Sequence, residues 1–153
     1  MCSSDLKLQL DFTGGSAVFK DVFMQYKNLT FGAIKVGHFK EPFRLEVQTS
    51  SKYITFMERS LTTAFMPERS TGVMAHNSIL DKRLVWSLGL FSNSDKYGDS
   101  EGSVDTYNLT GRLAGTPYKN DSTNSLLHVG AAFSVRNPGD DTYKISKIGR
   151  AHV

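Results

Sequence analysis

Six basic side chains fall on one face of a series of short alternating runs: Lys7, Lys27, Lys35, Arg112, His128 and Arg136. The same face carries Asp11 and Asp21, with Asp105 near a strand end. Cations gathered on a wall that borders water favour the passage of anions. The plainer reading is a solvated face with a small basic excess, and alternation alone leaves both open. Other chemistry has little to stand on. His38, His76 and His128 lie on separate strands or strand ends without metal-ligand spacing. There is no Ser/His/Asp arrangement and no GxxxxGK phosphate loop, and Gly14-Gly15 belongs to a turn. The expectation is a protein without catalysis, cofactor or metal. Lys and Arg number 18 against 15 Asp and Glu, a net charge of +3 with no long basic run. A nucleic-acid binder clusters its positive charge, so that class is set aside.

The elements that must hold these side chains read as strands. Leu6, Leu8, Leu10 and Phe12 alternate with Lys7, Gln9 and Asp11, the period of a half-buried strand. Similar runs cover 17–27, 33–39, 70–79, 83–91, 104–114 and 126–136. The clearest sets Leu84, Trp86, Leu88 and Leu90 against Val85, Ser87 and Gly89. Clusters of Gly, Asn, Asp and Ser separate the runs, among them 13–16, 92–103 and 115–124. No apolar run approaches the roughly 20 residues of a spanning helix. Seven antiparallel strands with one apolar and one polar face suit a soluble sandwich. They also suit a membrane barrel, whose apolar face meets lipid and whose polar face lines water. Between 40 and 69 the alternation stops, and a short helix is expected over Ser51–Leu61 with Ser50 or Ser51 as N-cap. Asn28-Leu29-Thr30 and Asn108-Leu109-Thr110 match a glycosylation pattern but sit in or beside strands, where the match carries no weight.

One short DNA sequence, read on its two strands, accounts for both ends. The DNA sequence ATCGGAAGAGCACAC encodes residues 148–152, and its reverse complement encodes residues 1–5 with GTG as the first codon. Residues 1–6 and 147–153 are therefore expected to be sequencing-adapter read-through, and such scars are excluded from fold reasoning. The native stretch is then 7–146. The single cysteine, Cys2, drops out, and disulfide and thiol chemistry with it.

The stretch from Val36 to Met74 resembles the phosphate-selective porin O/P family. The residues that carry the resemblance are VGHFKEPFRLE from Val36 to Glu46, TSSKYITFMERSL from Thr49 to Leu61, and AFMPERSTG from Ala64 to Gly72. The segments FKDVFMQYKNLTFGAIKVG and RLVWSLGLF are similar as well. His38 stands where Gln or Arg is usual, Arg44 where Ser or Gly is common, and Met66 and Glu68 where small residues are commoner. These departures touch solute preference, not fold. The resemblance implies an all-β, antiparallel transmembrane β-barrel of sixteen strands, of which about seven are here. It implies a homotrimer in the outer-membrane lipid of a Gram-negative bacterium. It also implies that the irregular stretch, about 40–69, folds into the lumen and narrows it.

On that loop the basic residues are Lys40, Arg44, Lys52, Arg59 and Arg69. A guanidinium can donate two parallel hydrogen bonds to phosphate oxygens, and an ammonium acts as a point charge. The competing reading pairs them with Glu41, Glu46, Glu58 and Glu68 on the same loop. Lys35, Arg112 and Arg136 have no such neighbours, so they are the stronger anion contacts. The expected function is passive diffusion of small anions, phosphate first. The alternatives are a channel of the same family for polyphosphate, an organic anion or a sugar, or a soluble β-barrel that binds a ligand.

Overall fold

The computed structural model describes residues 3–12, 15, 17–56, 60, 68–92, 107–120 and 122–137. Seven strands form one sheet: β1 (Ser4–Asp11), β2 (Val18–Leu29), β3 (Gly32–Lys40), β4 (Arg69–Ile79), β5 (Leu84–Ser92), β6 (Tyr107–Asn120) and β7 (Ser125–Val135). Each pairs antiparallel with its neighbour in the chain, and the order across the sheet is the order in the sequence. All seven expected strands are present. β1 starts at Ser4, opposite Tyr26, so residues 4–6 continue its ladder. β6 departs most from expectation, because the residues 115–120 expected to turn continue the strand. The ladder with β7 slips between Gly115 and Tyr118. That bulge accommodates Pro117, which has no N–H to donate, while the Thr116 N–H donates to the Arg83 carbonyl at 2.8 Å.

The two faces differ in kind. One carries Leu6, Met24, Val36, Val73, Leu90 and Val135, all exposed, with Leu6 at 81 %, Leu90 at 56 % and Val135 at 63 %. Among the described residues nothing packs over this face as a second sheet would. A soluble sandwich buries such a face against its partner sheet; here it points outward, as in a barrel wall facing hydrocarbon. The other face holds a small cluster of Phe39, Met74 and Phe91 with Phe23 beside it. Phe39 meets Phe23 and Phe91 edge-on, with centroids 6.1 and 5.6 Å apart. Room for the Phe91 ring comes from glycine. A Cβ on Gly89 would lie 2.6 Å from that ring, and one on Gly72 would lie 2.7 Å from it.

The chain after β3 folds back across this second face. It makes a four-residue helix, α1 (Leu45–Gln48), then a 3-10 turn over Ser51–Tyr53. Ser50 caps that turn by accepting from the Lys52 N–H, as expected. The helix expected over Ser51–Leu61 is only this single turn in the described residues: Ile54, Thr55 and Phe56 are not helical. Residues 57–59 and 61 lie outside the described residues, as does Asp105. The helix that does form lies earlier, where Lys40 Nζ donates to the Val47 carbonyl at 2.6 Å and binds its last turn. At the opposite end of the strands the connections are tight. The β4–β5 turn places Leu80, Asp81 and Lys82 all at positive φ.

Candidate functional site

The loop is fixed to the wall through one carboxylate. Glu41 follows β3 directly and is fully buried. Its Oε1 accepts from Ser70 Oγ of β4 at 2.5 Å. Its Oε2 accepts from Thr110 Oγ1 of β6 at 3.0 Å and from Arg136 Nη2, just past β7, at 2.5 Å. Its backbone is used as fully: the carbonyl accepts from Gln48 Nε2 at 2.7 Å and the N–H donates to the Glu68 carbonyl at 3.3 Å. A second tether runs from Arg112 Nη1 of β6 to the Phe43 carbonyl at 3.0 Å. A charge so far from water is tolerable only when paired and hydrogen-bonded, and Arg136 supplies the pair.

Beside the loop, toward β1, lies a polar cleft of about 760 Å³ lined by Lys7, Lys20, Lys35, Lys40 and Arg69, with Asp11, Asp21 and Glu68. Most of these charges answer one another. Asp21 accepts from Lys7 Nζ at 2.6 Å and from Arg69 Nε at 3.0 Å. Arg69 Nη1 also donates to Glu68 at 2.6 Å, and Lys20 lies 3.3 Å from Asp11. Lys35 is different. Its ammonium sits 4.4 Å over the Phe23 ring and 5.3 Å from the Phe39 ring, and no ion pair to it occurs among the described residues. The ring faces attract the cation without cancelling its charge.

The residues singled out in the sequence separate into groups. Lys35, Lys40 and Arg69 come together in the polar cleft. Arg44 and Arg112 meet across a second cleft of about 430 Å³ on the other side of the loop, with His128. Arg44 is held there by Glu46 at 3.5 Å and Ser60 at 3.2 Å. Lys52 is exposed on the 3-10 turn. Arg59 lies outside the described residues. Two expectations need correction. Arg136 does have an acidic neighbour, Glu41, which lies 95 positions away in sequence. Glu41 in turn pairs with the wall and not with a cation of its own loop.

A seven-stranded meander with its apolar face outward and a loop pinned across its polar face is the layout of a porin wall. A family model for phosphate-selective porins O and P matches residues 4–151, nearly the whole chain. The chain belongs to the phosphate-selective porin O and P family. Comparison with curated proteins found no match, and neither did comparison with solved structures. Membership makes this a chain of an outer-membrane porin family and points to a channel rather than an enzyme.

Within this porin fold the residue that sequence reasoning missed is Glu41 as an anchor. Its partners Ser70, Thr110 and Arg136 come from three strands, and no local pattern links them. One signal was available. Arg136 and Thr110 both fall on the polar face by alternation, and an acid at the mouth of a long loop is a natural partner for a wall arginine.

Proposed function

We propose that this chain lines a water-filled channel for passive diffusion of small anions across the outer membrane, with phosphate the foremost solute. The observation that carries the proposal is Lys35, whose charge is seated on two aromatic rings in the cleft beside the loop with no ion pair among the described residues. The cleft as a whole supports it: its five cations outnumber its three carboxylates. A hydrated anion entering here exchanges part of its water for ammonium and guanidinium donors, and the exposure of the cleft keeps binding weak enough for release. Arg69, Arg44 and Arg136 shape the passage and act less as direct ligands, because carboxylates already engage them.

The wall continues beyond the seven strands. An unpaired strand edge in hydrocarbon leaves backbone groups unsatisfied at a cost of several kcal/mol each, so β1 and β7 each need a further strand beside them. We take the working channel to be a closed barrel of sixteen strands, assembled as a trimer. The test is the reversal potential of the full-length channel in a planar bilayer under a potassium chloride gradient, followed by titration with phosphate. Anion preference with block of the chloride current is the expected result. Cation preference refutes the proposal. Anion preference without block at millimolar phosphate moves the solute to another small anion.

A further inference from the structure

We infer that Glu41 is the positioning residue that sets the width of the passage, by pinning the loop to three strands of the wall at once. The inference rests on the channel reading above, but it concerns the loop's place and not the ion that passes. Both carboxylate oxygens are committed, Oε1 to Ser70 and Oε2 to Thr110 and Arg136. The backbone of the same residue closes the loop on itself through Glu68 and holds α1 through Gln48. The position of α1 over the polar face therefore depends on a fully buried charge. The loop cannot lift without returning that charge to water and leaving Arg136 behind without its carboxylate. The Arg112 tether to the Phe43 carbonyl cannot replace the pin. It is one hydrogen bond, against the three that the Glu41 carboxylate accepts from three separate parts of the wall.

Glu41→Gln separates the pin from the shape of the side chain. The amide keeps the size of the carboxylate but puts an NH2 donor where Ser70 or Arg136 already donates. With the NH2 toward Ser70, whose hydroxyl can turn to accept it, the contacts become weaker bonds and Arg136 loses its counter-charge. Ser70→Ala and Thr110→Val each remove a single donor to Glu41 and leave the ion pair in place, and Thr110→Val also removes the hydroxyl contact with Ser134 of β7.

Single-channel recording of the full-length porin reads the outcome. With the pin, Glu41→Gln raises both unitary conductance and open-channel noise, and Thr110→Val and Ser70→Ala shift both in the same direction by less. The temperature at which the folded barrel unfolds in detergent stays near the wild-type value for Ser70→Ala, which separates a loosened loop from a weakened wall. Wild-type conductance and noise in all three variants overturn the inference. If Glu41→Gln does not insert, the two single-donor variants decide: a shift in both supports the pin, and no shift refutes it. A rise in conductance and noise on loosening the loop is expected whichever ion carries the current. A channel that proves cation-preferring sinks the anion proposal and leaves this test intact.

Discussion

Replacing Lys35 by Gln tests whether a seated charge contacts the passing anion. The ammonium lies 4.4 Å over Phe23 and 5.3 Å from Phe39, so it is held in place without being neutralised. A unit charge about 3 Å from a dianion in a wet passage gains roughly 2 to 3 kcal/mol before salt screening. Net hydrogen bonds to charged groups fall in the range of about 1.5–3 kcal/mol. A loss of about 2 kcal/mol corresponds to roughly thirtyfold weaker binding. The measurement is the phosphate concentration that halves the chloride current through the full-length channel. Lys35→Gln should raise it by about that factor, while Lys35→Arg, whose guanidinium also stacks on aromatic rings, should keep it near the wild-type value. Lys27→Gln is the control, because Lys27 does not line the cleft. Half-block at the wild-type concentration in Lys35→Gln refutes the contact. An equal shift in Lys27→Gln also refutes it, since the effect would then come from the diffuse field of the wall.

Three further outcomes follow from the wall. Gly89→Ala places a Cβ 2.6 Å from the Phe91 ring; the ring must shift against Phe39, and stability should fall by about 1–3 kcal/mol, read from urea unfolding in micelles. Lys82→Gly relieves a non-glycine residue at φ +65° in the β4–β5 turn and should stabilise the barrel by about 1 kcal/mol in the same assay. Leu90→Arg puts a charge on the outward face and should cost about 2–4 kcal/mol if it sits near the bilayer midplane. His128→Arg, exposed on the opposite face beside the loop, should leave folding nearly unchanged; a reversal of that order would invert the assignment of faces.

The strands were legible because their faces meet different media, and a period of two records that difference directly. Leu84, Trp86, Leu88 and Leu90 show it on β5. β6 was cut short because Gly115-Thr116-Pro117 reads as a turn, and a bulge that carries proline within a strand leaves no separate sequence mark. The helix was misplaced for a similar reason. Ser50 caps a turn that ends at Tyr53, whereas α1 is held by Lys40 and Gln48 reaching to backbone carbonyls. Of the candidate cations, Lys35 was readable because its nearest sequence neighbours are uncharged. Arg136 was misread because its partner Glu41 becomes a neighbour only when the sheet is complete. The nesting of Phe91 over Gly72 and Gly89 was equally hidden, since it couples two strands and not two adjacent positions.

The pin has a consequence for the order in which the molecule is made. Every rung of the wall joins consecutive strands, so each hairpin can close as soon as its second strand is available, at small loop-closure cost. Glu41 has no such convenience, because its partners lie 29, 69 and 95 positions downstream. The loop leaves the growing wall after β3, yet its last clasp waits for Arg136. Until then a carboxylate, an arginine and two hydroxyls face water in an unnarrowed half-wall. The clasp at Arg136 needs β7 paired beside β6, so the same contact that holds the loop also reports that β7 is in register.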